Sequence, residues 1–245
     1  MNPQSLVVNE KIENAVMRVC EELEHDRRKK TWVDFSEKEL WLELISCILG
    51  SRVRSETATA CSNHLRERNL VDISIILKKP RETETKISIE LAKSIFPPHG
   101  CKYPFPRSKA TCIVVTAVEI YEKDNTSIKQ ILSSYPNPLE ARKVLVSKCR
   151  GIGFKQASLF LRNVSFCDNL AILDTHVVRF IESVILRTQI RLTKNQYLFL
   201  ERILYEYAQS KRVSLATLDF SIWIVMRLIQ REFANGNRQS RIWGN

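Results

Sequence analysis

The chain has 245 residues, of which 44% are hydrophobic and 27% charged, with 38 Lys and Arg against 27 Asp and Glu for a net charge of +11. That length allows one large domain or two modest ones with a real core, and the balance of apolar to charged residues excludes wholesale disorder. The positive excess attracts polyanions such as nucleic acid, although a merely soluble basic protein carries the same balance. No apolar stretch approaches the ~18 residues of a membrane span, and no apolar signal segment opens the chain. The expected setting is therefore the cytoplasm, in association with the nucleoid, or the nucleus of a eukaryote.

The seven cysteines (20, 47, 61, 101, 112, 149 and 167) are odd in number and contain no C-x-x-C pair, which reads as reduced thiols in apolar surroundings. Cys167 is the last of them, so the C-terminal region cannot supply a four-cysteine iron–sulfur site. The four histidines (His25, His64, His99 and His176) lack metal-ligand spacing, and neither a metal nor an organic cofactor is expected.

In chain order, residues 9–29 read as a charged amphipathic helix running into Asp26-Arg-Arg-Lys-Lys30. Ser36-Glu-Lys-Glu39 is a capping box that opens an apolar helix with Leu40, Trp41, Leu44, Ile45, Ile48 and Leu49. After Gly50-Ser-Arg52 another helix begins near Ser55, and short helices follow around 70–78 and 86–95. Pro97, Pro98, Gly100, Pro104 and Pro106 mark the longest irregular segment. Helices return over 107–122 and 127–133, and Asn137-Pro138 supplies a cap with proline at the first helical position. Beyond Asp174 a helix extends to about Arg187, Thr193-Lys-Asn-Gln196 caps one reaching about Ser210, and Ser214 starts the last; residues 234–245 read as a loosely held polar tail. No repeat or alternating strand pattern interrupts the helical reading. The class is all-α.

Two of only six glycines flank Ile152, between an apolar helical run at 139–146 and another at 157–161. Two helices joined by Gly151-Ile-Gly153 form a helix-hairpin-helix. Glycine permits the positive φ of so tight a turn and leaves backbone N–H groups exposed at the next helix start. Those donors, with the positive end of the helix dipole, suit a phosphate oxygen. Lys155 sits in that first turn, where a cation is electrostatically misplaced. Something other than helix stability is needed to explain it.

Asp174 follows 19 residues after Lys155, at the start of an apolar helix with Val177, Val178 and Ile181. An amine and a carboxylate at two helix N-termini suit one reaction on a nucleotide. The amine attacks the anomeric carbon and expels the base, leaving an imine that permits β-elimination of the 3′ phosphate. The carboxylate stabilises positive charge developing on the sugar. The lysine must be neutral to attack, so its pKa has to fall well below ~10.4. Plainer roles exist for both residues: Asp174 as an ordinary N-cap, and Lys155 as a phosphate contact without chemistry.

Gly151-Ile-Gly153-Phe-Lys155-Gln-Ala157 with Leu173-Asp174-Thr-His176-Val resembles the signature of helix-hairpin-helix DNA glycosylases carrying a Gly/Pro…Asp motif. The fuller string from Gly151 to Asn163 is most similar to the second 8-oxoguanine DNA glycosylase/AP lyase group, known mainly from archaea and some bacteria. Trp41-Leu-Glu-Leu-Ile-Ser-Cys-Ile-Leu49, Tyr103-Pro-Phe-Pro-Arg-Ser-Lys-Ala110 and Leu218-Asp-Phe-Ser-Ile-Trp223 agree, so the resemblance spans about residues 35–232. It implies two helical domains with the active site in a cleft between them, into which a nucleotide is flipped out of the duplex. The expected division is residues 1–50 plus 166–245 for one domain and 51–165 for the domain carrying the hairpin.

By the same resemblance Lys155 is the Schiff-base nucleophile, Asp174 the catalytic carboxylate, and Gly151 and Gly153 bind backbone phosphate. Lys148 and Arg150 flank the hairpin as further phosphate contacts. Gly50-Ser-Arg52-Val-Arg54 stands where the group tends to have polar residues that fill the gap left by the flipped base, so Arg52 or Arg54 wedges into that gap or contacts phosphate, with a solvated basic loop as the equal alternative. In the group the chain often stops soon after its Trp-containing helix and recognises the oxidised base with its terminal carboxylate; here it runs some twenty residues past Trp223. Glu232 is the candidate substitute, and Trp223 is either the stacking partner of the base or, as is usual for Trp on an apolar helix face, part of the core. For Arg107, Lys109, Arg142 and Arg162 a solvated face is the default, and His176 reads as a local hydrogen-bonder. The expected protein is a monomeric, cofactor-free bifunctional glycosylase/AP lyase acting on double-stranded DNA that contains 8-oxoguanine. The same chemistry on another damaged base and a catalytically silent DNA-binding module are the alternatives.

Overall fold

The computed structural model describes residues 3–23, 30–93, 95–96, 100–188 and 194–242. The chain falls into two compact units: a hairpin unit of residues 29–167, and a terminal unit combining residues 1–28 with 168–245. The expected boundary at residue 50 thus moves to residue 28, and the apolar helix after the capping box belongs with the hairpin.

The hairpin unit is built around α2 (Glu37–Leu49). Its capping box forms as the sequence dictates, with Glu39 N donating to Ser36 Oγ at 3.3 Å and Ser36 N donating to Glu39 Oε2 at 2.7 Å. Leu40, Trp41, Leu44, Ile45, Ile48 and Leu49 are all buried, against α3 (Ser55–Glu67), α6 (Pro106–Ala117), α7 (Ile128–Ser134) and α9 (Phe154–Asn163). An apolar surface of that breadth cannot be left on the far side of a domain boundary. Glu37 in the first turn accepts from the Ile128 and Lys129 amides at 2.8 and 3.0 Å, so one carboxylate opens α2 and caps α7. At the other end, α2 carbonyls that have no helical donor are satisfied from outside: Gln156 Nε2 donates to Cys47 O at 2.7 Å and Tyr103 Oη to Leu49 O at 2.6 Å.

Asp72 caps α4 (Ile73–Lys78). The next helix, α5 (Pro80–Lys93), starts six residues before the expected position, because Pro80 pre-sets helical φ and lacks the N–H that a first turn leaves unpaired anyway. Within the irregular segment two short strands, β1 (Ile95–Phe96) and β2 (Cys101–Lys102), pair antiparallel, a ladder too small to announce itself by alternation. Helix α6 continues through a π-helical turn at 118–123, and α8 (Pro138–Lys148) is capped by Asn137 with Pro138 at its start.

In the terminal unit α1 (Pro3–Leu23) packs on α12 (Leu215–Ile242), which also carries α10 (Thr175–Phe180) and α11 (Lys194–Ser210). A π-helical turn at 181–185 extends α10, and Asn9 Nδ2 ties α1 to it through Ser183 O at 2.7 Å. Tyr207 Oη donates to Glu13 Oε1 at 2.7 Å and joins α11 to α1. The expected polar tail is corrected: α12 stays helical to Ile242, since its polar residues after Ala234 include no proline to stop it. Arg27, Arg28 and Lys29 of the basic run, and Thr193, lie outside the described residues.

Candidate active site

Helix α8 ends at Lys148 and α9 begins at Phe154, so the turn is Cys149 to Gly153. Gly151 has φ +81°, and a Cβ there would sit 2.6 Å from Cys112 Sγ on α6. Only glycine satisfies both the backbone and the contact. Arg150 N donates to Thr116 Oγ1 at 3.0 Å, and Ile152 is buried, so α6 supports the turn from below. Gly153 differs. Its backbone is extended, and a Cβ would meet nothing within 4 Å. Gly153 therefore leaves open space beside the first turn of α9. No side chain caps that turn, and its N–H groups have no intrahelical acceptor. No acidic residue stands in it either.

Lys155 is half-buried in this turn. Its charge acts on the buried Cys47 thiol, although burial and Glu43 win and hold that thiol far above its ordinary range. Gln156 fixes the same turn to α2 through Cys47 O. On the inner side of α9, Arg142 is buried, donates to Ser158 Oγ at 3.1 Å and lies 5.0 Å from the Phe154 ring centre. The expectation of a solvated Arg142 is corrected: it joins α8 to α9 inside the hairpin. Lys109, also expected on a solvated face, is only 7% exposed. Arg52, Arg54 and Arg150 are exposed, whereas Lys148 is ion-paired to Asp124, which raises its pKa. Arg52 adopts φ +64°, a conformation that side chains other than glycine rarely take.

Asp174 stands at the N-terminus of α10 in the terminal unit. Its Oδ1 accepts from His176 N at 2.8 Å and Val177 N at 2.9 Å, so the capping role is realised. Oδ2 accepts no hydrogen bond among the described residues, and the side chain is half-buried. The preceding segment is pinned by side chains that sequence reasoning did not single out. Ala171 N donates to Glu201 Oε1 at 3.0 Å, Ile172 N to Asp219 Oδ2 at 2.9 Å, and Tyr197 Oη to Ala171 O at 2.8 Å. Their signal was present as acids inside apolar helical runs, Leu200-Glu201 and Leu218-Asp219, where an unpaired charge would be costly.

The His176 side chain is not the expected hydrogen-bonder: its Nδ1 is buried without a partner among the described residues, and burial lowers its pKa, opposed by Asp174 and reinforced by Arg179 and Arg227. Trp223 on α12 is half-buried rather than core. It stacks on Phe220 at 5.8 Å and 10°, with the Arg227 guanidinium 4.7 Å from its ring centre. The Glu232 side chain lies outside the described part of the structure. Lys155, Gly151, Gly153, Arg150, Arg52 and Arg54 thus belong to the hairpin unit, and Asp174 and Trp223 to the terminal unit. Among the described residues no cluster of His, Cys, Asp and Glu could hold a metal, and no helix is long and apolar enough to cross a membrane.

The family model described as 8-oxoguanine DNA glycosylase matches residues 21–213. An 8-oxoguanine DNA glycosylase/AP lyase of Sulfolobus acidocaldarius is 31% identical over 90% of this chain and 95% of its own length. The solved structure of the Methanocaldococcus jannaschii 8-oxoguanine glycosylase/lyase in complex with a 15mer DNA containing 8-oxoguanine superposes with a TM-score of 0.64 at 26% identity, covering 84% of this chain and 94% of that one. The Thermotoga maritima 8-oxoguanine DNA glycosylase structure, at 24% identity and a TM-score of 0.56 over 90% of this chain and 92% of its own, shares the fold. With a matching model spanning most of its length and a hairpin built as the motif requires, the chain belongs to the 8-oxoguanine DNA glycosylase family.

Proposed function

We propose that this protein is a bifunctional DNA glycosylase/AP lyase that excises 8-oxoguanine from double-stranded DNA and cleaves the strand by β-elimination. The single observation that carries the reading is Lys155 in the uncapped, acid-free first turn of α9, with open space beside Gly153. A cation there adds nothing to helix stability, so its value lies in what it meets. The Lys155 amine forms a C–N bond to the anomeric carbon as the base departs with the glycosidic electron pair. The nitrogen lone pair then breaks the C1′–O4′ bond, opening the sugar ring to an iminium as the proton given up by the amine passes to O4′, and loss of a C2′ proton from that iminium expels the 3′ phosphate. Asp174, fixed through Oδ1, keeps Oδ2 for the positive charge that develops on the sugar. The amides at Gly151 and Gly153 and the Arg150 side chain engage backbone phosphate. Arg52 and Arg54 present charge on the loop leading into α3, and Trp223, whose ring carries Phe220 and the Arg227 guanidinium, meets the base with its edge. The protein works as a monomer, without a cofactor, in the compartment that holds DNA.

The test is incubation with duplex DNA containing 8-oxoguanine, followed by borohydride. The wild-type chain is expected to excise the base, nick the strand and become covalently attached, and Lys155→Gln is expected to remain untrapped. Persistent DNA binding with neither excision nor trapping in the wild type would instead establish a silent binding module.

A further inference from the structure

Among the described residues of the hairpin unit, α3 and α6 start without a side-chain cap, as α9 does. The first two are tied to the C-terminal end of α2 beside the hairpin. Tyr103 Oη, just before α6, donates to Leu49 O, which leads into the Gly50–Arg54 loop ahead of α3. Gly50 in turn lies against Gln156 in the first turn of α9, and Gly151 lies against Cys112 on α6. The start of α6 carries no acid; Pro106 occupies its first position, followed by exposed Arg107 and then Lys109.

Lys109 is the unusual member. It is 7% exposed, yet its ammonium makes no hydrogen bond or ion pair among the described residues. Helical side chains lean toward the N-terminus of their own helix, which aims this one at the uncapped turn. Burial lowers the lysine pKa, the nearby Cys112 sulfur opposes that shift, and Arg52 lies close enough for its like charge to add to it. Arg52 is itself held at φ +64°. Two cations brought together at the positive end of a helix, paired with no carboxylate among the described residues, describe an anion site lacking its anion.

We propose that Lys109, flanked by Arg52, binds a backbone phosphate of the DNA at the N-terminus of α6, separate from the phosphate held at the Gly151–Gly153 turn. The inference rests on the glycosylase reading for its ligand but not for its geometry. Neutralising a phosphate releases condensed counterions, so each such contact contributes ~0.9 to the log–log salt slope of duplex binding.

Affinity for duplex DNA, with and without 8-oxoguanine, is to be measured against salt for wild type, Lys109→Met, Lys109→Arg and Arg52→Ala. Lys109→Met is expected to melt no lower than wild type, to bind both duplexes more weakly, and to lose about 0.9 of slope. Lys109→Arg should keep the wild-type slope, and Arg52→Ala, a change at an exposed position, should reduce it. Wild-type slopes in both Lys109→Met and Arg52→Ala would overturn the proposal. A Lys109→Met chain that melts well below wild type would also overturn it, by giving the ammonium an internal structural role. Failure of the glycosylase reading looks different: the wild-type chain would then neither excise 8-oxoguanine nor be trapped by borohydride, whatever the salt slopes of the variants.

Discussion

The N-termini of α9 and α10 solve the same electrostatic problem in opposite ways. Both helices leave first-turn N–H groups unpaired and present a positive dipole end. Helix α10 answers with a carboxylate: Asp174 Oδ1 takes two amides at 2.8 and 2.9 Å. Helix α9 answers with a glycine that offers no acceptor and a lysine that adds to the positive field. An ordinary cap satisfies the helix internally, whereas the α9 arrangement is completed only by an external anion. On the proposed function, the difference separates a residue whose position also serves the fold from one whose position serves a ligand.

Asp174→Asn sharpens that contrast most. Asparagine caps as well as aspartate, so the melting temperature should hardly move. Excision of 8-oxoguanine should nonetheless fall by at least ~10², because the charge facing the sugar is lost. Single-turnover rates beside a thermal melt check both halves, and an unchanged rate would leave Asp174 only a cap. Asp174→Ala should additionally lose ~1 kcal/mol of stability with the cap itself.

Next come the two glycines. Gly151→Ala meets both a positive φ and the Cys112 sulfur, and is expected to destabilise the chain by ~1–3 kcal/mol or more in denaturant unfolding. Gly153→Ala meets open space and should fold almost normally, any loss appearing in DNA affinity instead. Equal destabilisation by the two would erase the distinction drawn between them.

A smaller effect distinguishes the flanking cations. Arg150→Ala should lower the salt slope of duplex binding by ~0.9. Lys148→Ala should change it less, because Asp124 already holds that ammonium. The smallest effect concerns His176 beside the α10 cap. Its folded pKa is lowered from 6.5, so the folded state favours the neutral ring. Stability from this group is complete above the unfolded value and is lost as pH falls below it, where the unfolded chain takes up the proton more readily. Thermal melts of His176→Gln between about pH 7 and about pH 5 should therefore decline less steeply than those of wild type.

Much of this was legible in local signals. The capping box at Ser36, the Asn137-Pro138 start and the Gly-Ile-Gly turn each depend on residues within four positions of one another, and all three form. Asp174 was legible as a cap for the same reason. What stayed hidden depends on long-range pairing. Neither the burial of Arg142 among Ser158 and Phe154 nor that of Lys109 follows from a helical wheel on which both look like surface cations. The pinning of Ala171 and Ile172 by Glu201 and Asp219 spans 30 and 47 residues. The unit boundary moved for a related reason. Gly50 looks like a linker, but the apolar face of α2 commits it to α3 and α9.

The most direct test of Lys155 as the nucleophile is to digest the borohydride-trapped complex with 8-oxoguanine DNA and locate the modified amine by mass spectrometry. The expected result is a single deoxyribose adduct on the peptide containing Lys155. An adduct on any other amine, Lys109 or the N-terminus included, would contradict it.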